Sequence, residues 1–142
     1  MTAESVRTGV GATIASWQLR AIVAIPVLVM LLTVVVAFAP PIWLVVVLIL
    51  AATATIGNPR SHAATVLMGF VVLAAFGADA PGWWLPVLVL TVHATHVGAA
   101  LAAVVPATAD IEIDALRPSF RRFVTVQAGA QALVVVILVM AL

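Results

Sequence analysis

The chain has 142 residues, 65% of them hydrophobic and 8% charged, whereas a soluble domain carries roughly a quarter charged residues. So apolar a chain cannot hide its side chains in one water-facing globule. The six basic residues are all arginine, set against five acids and no cysteine, which excludes disulfides, thiolate metal sites and a Cys nucleophile and leaves no footprint for nucleic acid.

The composition is that of an integral membrane protein. The expected fold class is all-α: a bundle of five transmembrane helices with the N-terminus inside, the C-terminus outside, and a short interfacial helix before the last span. Residues 1–20 form a cytoplasmic N-terminal segment. Within it Val6, Val10, Ile14 and Trp17 recur at helical spacing opposite Glu4, Arg7 and Gln18, the pattern of an amphipathic helix lying on a membrane surface. Gly9 and Gly11 each weaken such a helix by about 1 kcal/mol, and a frayed terminus is the alternative.

A single transmembrane domain takes up residues 21–142. A spanning helix needs about 20 mostly apolar residues, and five stretches qualify: 21–39, 42–56, 63–78, 83–105 and 122–142. The second and third amount to only about 23 Å of helix each, short for a hydrocarbon core of about 30 Å, so thin or re-entrant elements are an alternative there. Pro40 and Pro41 force the first turn, Gly57, Asn58 and Pro59 the second, and Ala80, Pro81 and Gly82 the third, because each cluster removes donors or favours turn geometry. Arginines ahead of an apolar run ending Ala37, Phe38, Ala39 resemble a cleavable leader. The run is longer than a leader's apolar core and Pro40 follows it, so the first segment is expected to remain as a span.

Between the fourth and fifth spans, Thr108 to Arg117 reads as the interfacial helix. Thr108 is its expected N-cap, Asp110 and Glu112 suit a first turn, and Pro118 is the expected stop. Asp110, Glu112 and Asp114 are candidates for docking a basic partner; a solvated loop is the plainer reading.

Orientation follows from the arginines, since cytoplasmic loops collect cations. With the N-terminus inside, Arg7, Arg20, Arg60, Arg117, Arg121 and Arg122 all fall on the cytoplasmic side, and the outer side holds only Asp79. Arg20, Arg60, Arg117, Arg121 and Arg122 are then membrane-interface anchors on the inside, with Trp43, Trp83 and Trp84 at the outer interface. The expected location is the cell membrane, crossed several times.

His93 and His96 are the sharpest chemical feature, because ionisable residues within a span are costly and mark functional sites. They share one helix face with Thr91 and Thr95 flanking. Counted inward from Val105 and from Arg121, His96 and Gln131 both lie about 14 to 15 Å deep. They are expected partners, with Gln127 one turn away from Gln131, giving a ladder of Thr, His and Gln side chains between the fourth and fifth spans. Ala94, Gly98 and Ala102 on one span, with Ala128 and Ala132 on the other, are small enough to let those two helices approach closely.

Three readings of the ladder stay open. It joins two helices by hydrogen bonds, it lines a proton or ion path through the imidazole switch, or it ligates a metal or haem. Two histidines on one helix cannot face each other across an iron, His62 lies at the inner surface, and no carboxylate or Cys lies at that depth to complete a metal site. No cofactor or metal is therefore expected. No nucleophile–base pair, phosphate-cradling loop or paired intramembrane carboxylate occurs in the sequence, and the chain is not expected to be an enzyme.

The Lys-free, Ala- and Val-rich composition and the stretch Phe120 to Leu133, FRRFVTVQAGAQAL, resemble uncharacterised small polytopic membrane proteins of high-GC actinobacteria, some encoded beside MoxR-type ATPases. The likeness covers one loop and half a span. It implies an accessory or assembly role and assigns no residue a function. The resulting expectation is a non-catalytic accessory, structural or assembly subunit whose partners are membrane lipids and other transmembrane subunits or further copies of itself. A small transporter or channel lined by His93, His96, Gln127 and Gln131 is the first alternative, and a haem-binding redox subunit the second.

Overall fold

The computed structural model describes residues 11–78 and 82–141. In chain order the elements are β1 (Thr13–Ala15), α1 (Ser16–Phe38), α2 (Ile42–Gly57), α3 (Ala63–Phe76), a 3-10 turn (Gly82–Trp84), α4 (Leu85–Val104), β2 (Asp110–Glu112) and α5 (Ile113–Met140). Three helical stretches, Ser16–Phe38, Gly82–Val104 and Ile113–Met140, are long and apolar enough to cross a membrane. The helices α2 and α3 are apolar but shorter, about 24 Å and 21 Å at 1.5 Å per residue.

Apolar residues surround each of the first four helices, so the face that turns inward is selected by packing. In α1 the buried apolar positions are Leu19, Val23, Val27, Met30 and Val34, a three-to-four spacing that makes one stripe of a 3.6-residue helix. Val27, Met30 and Val34 meet Leu44 and Leu48 of α2, Leu67 and Val71 of α3 and Leu88 of α4 in a single core. Outward-facing Leu32, Val36, Leu50, Leu73 and Phe76 are exposed, as suits helices whose surroundings are lipid. Threonines within the apolar helices donate to the carbonyl one turn back: Thr33 to Val29, Thr53 to Ile49 and Thr55 to Ala51, each at 2.8 Å. A hydroxyl satisfied within its own helix adds no orphan donor to the interior.

The turns follow their residues. Ala39 ends α1 in the left-handed region, φ 42°, a conformation that costs a residue with a Cβ about 1–2 kcal/mol. Pro40 and Pro41 behind it cannot extend the helix, and Pro41 supplies the carbonyl that receives the Leu44 N–H of α2 at 2.9 Å.

Helix α1 packs most extensively against α4. The contact is close because Gly98 has no side chain: a Cβ there would lie 2.9 Å from Val23 Cγ2. Ala102 is also buried, while Ala128 and Ala132 of α5 are exposed. The small residues of α4 therefore receive α1, and the expected small-on-small contact between α4 and α5 does not form. Large residues decide this. Val23 fills the Gly98 notch, whereas α5 turns Phe123, Gln127 and Val134 inward and its alanines outward.

The segment between α4 and α5 differs from the interfacial helix expected there. Asp110–Glu112 forms β2, paired antiparallel with β1 in the register Thr13↔Glu112, Ile14↔Ile111 and Ala15↔Asp110. The run Asp110, Ile111, Glu112, Ile113 alternates polar and apolar residues, which is strand periodicity, and Ile14 and Ile111 form a half-buried cross-strand pair. Thr108 consequently caps nothing; Glu112 occupies the N-cap of α5. Pro118 lies inside α5 instead of ending it. Placed near the helix start, it forfeits one ladder bond, to the Asp114 carbonyl, a loss the long helix beyond it tolerates. The last helix thus starts at Ile113, nine residues before the start expected at Arg122. Ile14 belongs to a strand, so the amphipathic helix expected through it is interrupted. Trp17 and Gln18 of that pattern fall in the first turn of α1; Glu4, Val6, Arg7 and Val10 lie outside the described residues, as do Asp79, Ala80, Pro81 and Leu142.

Gly98→Ala is expected to lower the thermal midpoint of the detergent-solubilised protein, with an overpacking cost of about 1–3 kcal/mol. Val23→Ala in the same chain should restore most of it. An unchanged midpoint for Gly98→Ala alone would mean that the two helices part freely at this point.

Candidate functional site

Helices α4 and α5 run antiparallel and meet along a narrow seam in which polar side chains are set among apolar ones. His93, half-buried on α4, lies with Nδ1 2.8 Å from Oε1 of the buried Gln127 on α5. An amide oxygen only accepts, so Nδ1 carries the hydrogen and donates, leaving Nε2 as an acceptor in the neutral ring. The imidazole also packs on Phe123, with ring centroids 4.8 Å apart. One turn further along α5 from Gln127, Gln131 donates through Nε2 to the Pro86 carbonyl at 2.9 Å.

This register differs from the expected one. Gln131 pairs with the start of α4, and His96 lies about two turns away from it. Depth counted from Arg121 was the source of the error: α5 begins at Ile113, so Arg121 is already two turns into the helix. His96 is exposed and shares a groove of about 400 Å³ with His93, Ser119 and Arg122.

The threonines do not extend the ladder. Thr91 donates within its own helix, to Val87 at 2.9 Å and Leu88 at 3.1 Å. Thr95 is fully buried, and its hydroxyl has no hydrogen-bond partner; the same holds for Nε2 of Gln127. Burying such a group without a partner costs about 1–3 kcal/mol. His93 and Gln127 are brought together; His96, Gln131, Thr91 and Thr95 are each engaged elsewhere or unpartnered. Among the described residues, no three His, Cys, Asp or Glu side chains gather where they could hold a metal ion.

The anchor residues divide between the two ends of the bundle. Arg20, Arg60, Arg117, Arg121 and Arg122 lie at or near the end where α1, α3 and α5 begin. Arg60 does more than face the surroundings: its Nε donates to the Ala103 carbonyl at 3.0 Å. A cation on a last-turn carbonyl is the favourable sign for a helix C-terminus. Trp43, Trp83 and Trp84 lie at the opposite end, and the indoles of Trp83 and Trp84 stack at 3.9 Å between centroids. Gly82 lets this turn approach α5, since a Cβ there would lie 2.6 Å from Leu138 Cδ2. Asp110 and Glu112 are exposed on β2, and Asp114 is exposed in the first turn of α5.

Sequence reasoning missed two contributors. Phe123 stands one turn before Gln127 on the same face, a spacing that was readable. Ser16, whose hydroxyl donates to the Ala107 carbonyl, joins segments 91 residues apart, and no local pattern signals that. A second groove, of about 560 Å³, runs between α1, α4 and α5 and is apolar along almost all of its length, with Pro26, Ala94 and Phe120 in its lining.

Compared with protein-family models, curated proteins and solved structures, the chain matches none of them.

A double-mutant cycle between His93→Ala and Gln127→Ala is expected to give a coupling of about 0.6 to 1.7 kcal/mol, the range for hydrogen bonds between membrane helices. Chemical or thermal unfolding in detergent measures it. Strict additivity would show that this bond contributes nothing to holding α5.

Proposed function

We propose that the chain is a five-span protein of the cell membrane, N-terminus inside and C-terminus outside, serving as a non-catalytic accessory, structural or assembly subunit of a larger membrane complex. The observation that carries this reading is the attachment of α5. Over 28 residues it buries only Gln127 and Val134, while Val124, Ala128, Ala132, Val135 and Val139 are exposed along its length. A helix held by so narrow a seam keeps most of its circumference for neighbours, and its small residues allow a partner helix to approach closely.

The membrane topology draws support from the two ends. Arginines collect at one and three of the four tryptophans at the other, with Trp17 on the arginine side, which fits a positive inner face with amphipathic indoles at both interfaces. The short α2–α3 hairpin is about 21 to 24 Å tall, which a locally thinned bilayer accommodates at modest cost. The transport reading rests on the groove shared by His93 and His96. It draws less support, because Gln131 and Thr91 are bonded to backbone carbonyls and the remaining polar groups do not form a continuous file.

Two measurements test the proposal. A cysteine at position 60 should be labelled by a membrane-impermeant reagent only after the cytoplasmic face is opened; labelling of intact cells would reverse the topology. A photo-crosslinker at position 132 should give a discrete polypeptide adduct in native membranes. Adducts to lipid alone would remove the subunit reading, and flux abolished by His93→Ala in proteoliposomes would replace it with transport.

A further inference from the structure

The groove beside the α4–α5 seam has a chemistry that the accessory reading does not use. Its polar lining consists of His93 and His96 from α4 and Ser119 and Arg122 from α5, and no acid contributes to it. His96, Ser119 and Arg122 can each donate a hydrogen bond into the groove, and the guanidinium is permanently charged. The rest of the lining is carbon, with Val97 and Phe123 between the polar groups. With a permanent cation and no acid in the lining, the groove favours an anion and disfavours a metal cation.

The position of the groove selects the kind of anion. Arg122 is the last charged residue of α5, and the helix beyond it is apolar apart from Thr125, Gln127 and Gln131. The groove therefore sits where charged chain gives way to lipid-facing chain, at the arginine end of the bundle. It is open at its side, where His96 and Arg122 are exposed. The Nδ1 edge of His93 is already engaged by Gln127, which holds that ring as a fixed wall and leaves His96, Ser119 and Arg122 as the free donors.

We propose that this groove holds the phosphate of an anionic phospholipid, paired with the Arg122 guanidinium and hydrogen-bonded by His96 and Ser119, with the acyl chains lying along the apolar wall. The site rests on the protein being a membrane protein; it requires neither the proposed orientation nor a polypeptide partner.

The test uses the full chain in a neutral detergent, with phosphatidylglycerol and phosphatidylcholine as competing probes and native mass spectrometry as the readout. Wild type should retain phosphatidylglycerol preferentially. Arg122→Gln should reduce that preference about tenfold, the worth of a charge-assisted hydrogen bond. Arg121→Gln removes the same charge one residue away and outside the groove, and should leave the preference within about twofold. Equal losses in the two variants would overturn the site in favour of diffuse electrostatic attraction, as would a wild type that shows no preference. Displacement of the lipid by millimolar inorganic phosphate would overturn the lipid as occupant and assign the groove to a free anion. Should Arg122→Gln fail to elute as a monodisperse species, His96→Gln decides: a several-fold loss supports the site and none refutes it. None of these outcomes bears on the crosslinking at position 132, so the two proposals stand or fall separately.

Discussion

The two-stranded ribbon between β1 and β2 sets the register on which the rest of the polar structure depends. It ties the start of α1 to the start of α5: Ile113 N–H donates to the Ala12 carbonyl at 2.9 Å, and Ser16 N–H to that of Ala109 at 3.1 Å. With its first turn fixed there, α5 can only rise along α4 in one alignment. That alignment brings Gln127 to His93 and carries Arg122 to the level of His96. A start nine residues later would have matched Gln131 with His96. The ribbon also answers a backbone requirement, because a connection near lipid must satisfy its own N–H and C=O groups, and strand pairing does so where a loop would not.

Helix α4 is the shared wall of the bundle. On one side its small residues, Gly98 above all, admit α1 so closely that Val23 fills the space of a missing side chain. On the other side it offers His93 and the Pro86 carbonyl to α5. The two contacts differ in kind: the first is dispersion between well-fitted surfaces, the second a few directional bonds beside unpartnered Thr95 and Gln127 atoms. Lipid tails are as apolar as leucine, so burial of carbon alone drives helices together weakly. Fit has to hold α1, and α5 relies on hydrogen bonds. This difference explains why α5 is the helix with surface to spare, and why the grooves lie on either side of its seam.

Polar residues within the apolar segments are handled economically. Thr33, Thr53, Thr55, Thr91 and Thr125 each return a hydroxyl to a carbonyl of their own helix. Arg60 reaches across to the end of α4. His96, Ser119 and Arg122 bring their donors into one groove, and that grouping gives the groove its character.

Composition and the spacing of turn clusters were enough to foresee a predominantly helical chain with helices long and apolar enough to cross a membrane, because Pro and Gly interrupt a helix wherever they cluster and long apolar runs have few other conformations open to them in lipid. That the fourth and fifth spans set polar residues against each other was legible, since costly polar groups in adjacent spans tend to find each other, but the pairing expected was His96 with Gln131 and the bond formed is His93 to Gln127. The alternation Asp110, Ile111, Glu112, Ile113 was readable but was outweighed by capping signals at Thr108. What no local pattern contained was the choice of face and register. Gly98 suits any close neighbour, and only the assembled bundle gave that place to α1. Likewise His96 and Arg122 lie 26 positions apart and come to line one groove only because Ile14 pairs with Ile111, 97 positions away. Such pairings depend on which long-range contacts fit together, and tertiary structure alone decides them.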